Sequence, residues 1–234
     1  VSASVQKMIE LLRQNLFGEI LTIDVEFREH WSGIFSAHPW LSGPKDSYLG
    51  YWKRGGGAGG EHSHALHLFT YLAYVLGYGN VDMEDIRARF SFRKDGYAEY
   101  DELAHFLLKT EKGFVGRVTQ DVITFPPKKH VTVQGSNGYI TCNFGSVEDS
   151  LIYREGNSTT PRVAMFKKTR SDDFHQEMLH YDDLLTDKIK YEDSPLNIKF
   201  GCETFAALWR AHDQETGNRM PLIGFENSAS YNKK

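Results

Sequence analysis

Two cysteines in 234 residues, Cys142 and Cys202, are too few for a disulfide framework. They stand far apart among apolar neighbours. The expectation is two reduced core thiols, and with them a cytoplasmic protein. No apolar run reaches the ~18 residues that a membrane-crossing helix needs, and no secretory leader opens the chain. Neither sign of charge is in large surplus: 27 Lys and Arg face 31 Asp and Glu, a formal net charge of −4. With no Lys/Arg cluster either, this argues against a nucleic-acid partner. Internal repeats and low-complexity segments are missing too. So is an initiator Met: the chain starts at Val1 and goes directly into a helical pattern. The expectation is a segment of a longer protein.

What is present is an ordinary globular composition, 40% hydrophobic and 25% charged, on a chain long enough for one domain with a substantial core. Its densest stretch is Arg54-Gly-Gly-Gly-Ala-Gly-Gly-Glu-His-Ser-His-Ala-Leu-His-Leu68. Five of the 21 glycines fall in residues 55–60, with Ala58 between them. An acid, three histidines and an apolar helical run come next. This reads as a glycine-rich entry into a buried helix, with backbone donors and small volume leaving room for a ligand.

Around that stretch the periodicities alternate. Val5, Met8, Ile9, Leu12 and Leu16 recur at helical spacing up to Gly18. Ile23, Val25 and Phe27 alternate with Asp24, Glu26 and Arg28, a strand with one buried face. Residues 32–53 read as a long loop rich in large aromatics, of the kind that carries function. After the glycines and their helix come strands near 86–93, 104–108, 118–124, 131–133, 139–144, 151–153 and 163–166. Gly135-Ser-Asn-Gly138 is a hairpin signal. A helix is expected over 174–189. A last one is predicted to start at Ser194-Pro195 and stop at Gly217. The fold class is therefore α+β: a largely antiparallel open sheet with helices packed on one face. The expected domain covers residues 1–226, with 227–234 a polar tail.

Gly55-x-Gly57-x-x-Gly60 has the dinucleotide spacing but lacks the buried strand that should precede it. Glu61-x-x-His64 places a carboxylate and an imidazole together. They are either a proton-transfer pair or a capping acid beside a backbone-bonded histidine. His67 is either structural or substrate-facing. Lys53 and Arg54 are candidates to hold an anionic substrate group, or plain exposed cations. Trp40 is a candidate ligand-stacking residue, or a loop Trp closing over the core. Metal binding by His62, His64 and His67 finds little support. A second Glu-x-x-His, Glu102 to His105, lies in alternating sequence, where residues three apart face opposite sides.

The segment from Gly55 to His67 resembles the "GGG, small or apolar, acid, x, Ser-His, x, x, Asp" segment of the glucose–fructose oxidoreductase / inositol dehydrogenase family (Gfo/Idh/MocA). Leu16-Phe-Gly-Glu-Ile20 resembles the start of that family's second domain. Val133-Gln-Gly-Ser-Asn-Gly-Tyr-Ile140 is similar to its hairpin, and the helix ending at Gly217-Asn-Arg to its C-terminal helix. The resemblance covers nearly the whole chain and only the family's second domain. It implies a substrate-binding and oligomerisation domain of an NAD- or NADP-dependent oxidoreductase acting on a sugar, nucleotide-sugar or polyol. The cofactor would be held mainly by a Rossmann domain outside these residues, so the fragment alone would be inactive. His64 matches the family histidine and Glu61 its acid, with two residues between them where many members have three. His67 stands where the family has Asp. The resemblance also implies a homo-oligomer formed through the sheet face. Two rival readings are a non-catalytic binding or assembly module on the same fold, and a small metalloenzyme.

Overall fold

The computed structural model describes residues 2–169 and 171–217. Helix α1 (Ala3–Arg13) leads into strand β1 (Ile20–Arg28), then α2 (Ser32–Ala37), α3 (Gly57–Glu61) and α4 (His64–Val75). Seven strands come after them: β2 (Arg87–Asp95), β3 (Ala98–Lys109), β4 (Val115–Asp121), β5 (Lys128–Gly135), β6 (Gly138–Asn143), β7 (Glu148–Glu155) and β8 (Arg162–Lys167). Helices α5 (Asp172–Leu185) and α6 (Ile198–Thr216) close the described chain.

The strands form one sheet in the order β2-β3-β4-β1-β5-β6-β7-β8. β1 runs parallel to β4, with Val25 beside Val118, and every other neighbouring pair is antiparallel. This is the α+β open sheet that the patterning predicts. One face is apolar because alternate strand residues point to it: Ile23 and Val25, Ala104 and Phe106, Val131 and Val133. Met8 and Leu12 of α1, Leu66 and Phe69 of α4, and Ala207 and Ala211 of α6 join them in a single core. The other face of the sheet is polar. Arg117 Nε donates to Asp24 at 2.8 Å, Lys128 Nζ to Glu26 at 2.8 Å, and Thr132 and Thr141 share a 2.9 Å hydrogen bond.

Three local readings differ from the structure. Residues 32–53 are not plain loop: they hold α2 and three 3-10 turns, Pro44–Asp46, Tyr48–Gly50 and Trp52–Arg54. The fifth helix spans Asp172–Leu185, not 174–189. The last helix starts at Ile198, with Asn197 Oδ1 accepting from Lys199 N–H as its cap, rather than at Ser194-Pro195. The Ser194 hydroxyl is already engaged, bonded to His180 Nε2 at 2.8 Å and accepting from Leu196 N–H. Both cysteines are free thiols; Cys142 is buried and Cys202 half-buried. No helix among the described residues is long and apolar enough to cross a membrane. The predicted tail, 227–234, lies outside the described residues.

Candidate active site

The glycine-rich stretch is itself helical. α3 is built from Gly57-Ala-Gly-Gly-Glu61, and its first three residues are buried. Its glycines admit neighbouring backbone. A Cβ on Gly60 would lie 1.9 Å from the Gly55 carbonyl oxygen, and one on Gly56 2.2 Å from that of Tyr48. Its polar groups are also taken. Gly59 N–H donates to Asp101 Oδ2 at 2.6 Å, and Gln120 Nε2 donates to the carbonyls of Ala58 and Gly59 at 3.0 and 3.1 Å. The chain's own backbone and side chains thus take up the buried side of the stretch, while Gly55 and Gly60 also line a cavity of about 310 Å³ together with Ser63, His64 and His67. A dinucleotide pyrophosphate does not fit this segment.

The glycines instead position the acid and the histidines next to them in the chain. α3 ends at Glu61, residues 62–63 break the helix, and α4 starts at His64. Glu61 and His64 thus stand on either side of a step between two helices, not on one helical turn. Burial pushes the Glu61 carboxyl above its ordinary range, and the nearby His64 and Lys129 pull against that shift. His64 is exposed and Glu61 half-buried. His67 lies one turn further into α4. Its imidazole is held below the ordinary range by burial and by His64 beside it. Its Nδ1 is 3.5 Å from Thr204 Oγ1.

His64 and His67 line a cleft of about 570 Å³, within the size range of small-molecule sites. Phe27, Phe144 and Tyr71 contribute to its apolar wall, and Phe174 and Glu177 of α5 border it. Lys168 reaches it from just beyond β8. Its ammonium lies 3.0 Å from both Asp149 Oδ1 and Asp173 Oδ2. Burial alone would lower the Lys168 pKa; the two carboxylates outweigh that and raise it.

The other sequence candidates lie elsewhere. Trp40 is 73% exposed and meets only the edge of His38 among described ring contacts, at 5.1 Å. Lys53 sits over the Trp52 ring at 5.3 Å, and Arg54 over that of Tyr51 at 4.5 Å. None of the three lines the cleft of His64 and His67. Among the described residues, no group of three or more His, Cys, Asp or Glu is placed to hold a metal ion. His62 is turned to the Glu29 carbonyl, and His105 on β3 to Thr119.

Sequence reasoning missed a buried polar pair under α3. Asp101 of β3 and His212 of α6 are both buried, with His212 Nε2 3.7 Å from Asp101 Oδ1. The imidazole is stacked between Trp52, at 4.9 Å, and Phe90, at 4.2 Å. Burial raises the Asp101 carboxyl to about 7 and lowers His212 to about 4. A contact this close favours an ion pair, but desolvation of both groups opposes it. We read the pair as neutral, with the proton on the carboxyl. His212 shows in the sequence only as one more residue on the inner face of a helix. Asp101 gives no sign at all.

A family model described as the GFO/IDH/MocA C-terminal domain matches residues 5–141. No curated protein sequence matches the chain. Among solved structures, an oxidoreductase from Agrobacterium radiobacter in complex with NAD+, L-tartaric acid and magnesium superposes with a TM-score of 0.65 at 18% identity, covering 92% of this chain and 60% of that one. A levoglucosan dehydrogenase in complex with NADH and levoglucosan gives 0.64 at 12% identity, covering 91% and 62%. The WlbA dehydrogenase from Bordetella pertussis, in complex with NADH and UDP-GlcNAcA, gives 0.56 at 18% identity, covering 94% and 61%. At such identities the likeness is one of fold. The chain spans about three fifths of the length of each of these structures.

Proposed function

Because this chain belongs to the GFO/IDH/MocA C-terminal domain family, we propose that it is the substrate-binding and subunit-contact part of an NAD- or NADP-dependent oxidoreductase acting on a hydroxyl or carbonyl of a sugar, nucleotide-sugar or polyol. The observation that carries this reading is that His64, near enough to act on the Glu61 carboxyl, lines the 570 Å³ cleft together with His67. The solved structures that share the fold include dehydrogenases holding NADH with a sugar-type ligand.

In this reading His64 takes the proton of the substrate hydroxyl as the carbon is oxidised, and returns one in the reverse direction. Glu61 is the acid of the pair, its carboxyl pushed up by burial and drawn back by His64. His67, desolvated and next to Thr204, borders the substrate as a neutral donor or acceptor. Lys53, Arg54 and Trp40 act outside the cleft, on a part of the substrate or cofactor that extends past it. The nicotinamide cofactor is held by a separate nucleotide-binding domain, since α3 offers it no fit. These 234 residues alone are accordingly inactive and work in the cytoplasm as part of a longer, homo-oligomeric enzyme. Subunits meet through the polar face of the sheet. The proposed domain runs over residues 1–226, of which 218–226 lie outside the described residues.

The reading requires a strand–Gly-x-Gly-x-x-Gly–helix segment encoded ahead of residue 1. Sequencing the parent reading frame tests this, and an unrelated upstream region sinks the dehydrogenase. Given that segment, His64→Ala in the whole protein should lower kcat for NAD(P)-linked sugar oxidation by about 10²–10⁴-fold with folding intact, the range for loss of a proton-transfer group. Unchanged turnover would leave a binding or assembly module as the better reading.

A further inference from the structure

We propose that Glu177 of α5 is a specificity-determining residue of the cleft. Together with the remaining N–H of Lys168 it binds one hydroxyl of an uncharged sugar or polyol, and it disfavours a ligand that brings a negative charge of its own. This rests on the reading of His64 as the reacting end of the site.

α5 turns one edge toward the 570 Å³ cleft: Asp173, Phe174 and Glu177 line it, as do His64 and His67 of α4. Asp173 and Glu177 stand four residues apart in one helix, which makes their side chains neighbours on its surface. Asp173 Oδ2 lies 3.0 Å from Lys168 Nζ, and this brings the ammonium close to Glu177. Glu177 is half-buried, yet it has no hydrogen-bond or ion-pair partner among the described residues. A carboxylate taken partly out of water without a partner is a costly arrangement unless something binds to it.

Lys168 supplies the complementary group. An ammonium carries three N–H donors. Asp149 Oδ1 takes one and Asp173 Oδ2 another, at 3.0 Å each, which leaves the third. Asp149 is itself buried and held in place, accepting from Ser4 Oγ at 2.7 Å and from Gly145 N–H at 3.1 Å. The position of the ammonium is therefore fixed by the fold. Its surroundings belong to the cleft: Lys168, Asp173 and Ser2 all line it, and Ser2 Oγ lies 3.4 Å from Asp149 Oδ2.

A free acceptor next to a free donor is the complement of a hydroxyl, which donates its O–H to the carboxylate and accepts from the ammonium. Charged groups match it less well. A carboxylate or phosphate on the ligand could accept from Lys168, but Asp149, Asp173 and Glu177 set three negative charges against the one of Lys168. A ligand ammonium could donate to Glu177, but it has no lone pair for the Lys168 N–H and meets a like charge there. The pair thus selects the neutral, polyhydroxylated members of the proposed substrate class.

Glu177→Gln gives the test, because it keeps the shape of the side chain and breaks no contact within the fold. An unchanged thermal transition would verify this. The probes are glucose, glucuronate and glucosamine, titrated into this chain with ligand-observed NMR at pH 7. In the wild type glucose should bind tightest of the three. In Glu177→Gln glucose should bind about tenfold or more weaker, the effect of losing one hydrogen bond to a charged group, and the disadvantage of glucuronate should shrink. Glu177→Asp keeps the charge and shortens the reach. It should weaken glucose binding as well while still disfavouring glucuronate. Glucose binding that is unchanged in both variants overturns the inference and leaves the proposed function standing, and so does a wild-type preference for glucuronate or glucosamine. Binding of none of the three probes overturns both.

Discussion

His212 Nε2 lies 3.7 Å from Asp101 Oδ1, sealed between the rings of Trp52 and Phe90, although the two partners stand 111 positions apart in the chain. In the unfolded chain near pH 5 the aspartate is ionised and the histidine charged. In the fold burial favours the opposite arrangement, a neutral acid facing a neutral imidazole. Both states carry one proton. Folding moves that proton from nitrogen to oxygen, and the pair contributes little slope of stability with pH between about 4 and 6.5.

Removing either partner should expose the slope that the other hides. In Asp101→Asn only the depressed histidine remains, so stability should be lost as pH falls from about 6.5 toward about 4. In His212→Gln only the raised acid remains, so stability should be lost as pH rises from about 4 toward about 7. Each change should amount to on the order of 2 kcal/mol across its window. Denaturant midpoints measured from pH 4 to 8 check this, and slopes of the same sign in both variants would refute the proton transfer.

The glycines of α3 and of α6 should answer oppositely to one added methyl group. Gly57 has a φ of +78°, and its Cβ would lie 2.2 Å from Asp101 Oδ1. Gly57→Ala should destabilise by about 2 kcal/mol or more, through strain and overpacking. Gly201→Ala, in open space inside a helix, should stabilise by about 0.5–1 kcal/mol. Thermal melts of the two variants settle the signs.

The two thiols should differ in reactivity. Burial pushes the Cys142 thiol up to about 12, so it has almost no thiolate at neutral pH. Cys202 is half-buried on α6. A chromogenic disulfide reagent should titrate one thiol in the native protein, at Cys202, and two in denaturant. Two fast native thiols would contradict the packing around β6.

The uncovered sheet face should carry the subunit contact. Thr132 and Thr141 pair across β5 and β6 near the middle of that face. Sedimentation should show a dimer or larger assembly, and Thr132→Arg should shift it toward monomer with the fold retained. A wild-type chain that stays monomeric at high concentration would remove this part of the reading.

The strands with one clean apolar face are legible in the sequence. Ile23 and Val25 and Phe90 and Phe92 alternate as they pack, and the turn between Gly135 and Gly138 is where the pattern puts it. The pattern starts the last helix too early because Ser194-Pro195 looks like a start. The Ser194 hydroxyl serves His180 instead, a partner 14 positions away that local pattern does not reveal. The glycine stretch stands out as a special place, but its composition does not tell which glycines face a cavity, as Gly55 and Gly60 do, and which face the chain's own backbone and side chains. Composition shows that side chains are missing; it does not show whether a ligand or the chain's own backbone occupies the space. His64 and Glu61 are visible because they are neighbours. Asp101 and His212 are not, because only the sheet order and the docking of α6 bring them together.

β1 is made well before its sheet neighbours and sits in the middle of the sheet. Its neighbour on one side is β4, with Asp24 and Arg117 joined across a separation of 93 residues, and on the other β5, which comes later still. During synthesis this strand therefore leaves the ribosome with neither partner in existence. At ~5–20 residues per second it waits roughly 5–20 s for the first of them. Its bare edges and its apolar Ile23 and Val25 stay open to other chains throughout that interval. Nascent-chain aggregation, and any dependence on chaperones, should thus centre on the first strand and end abruptly once residue 135 is out.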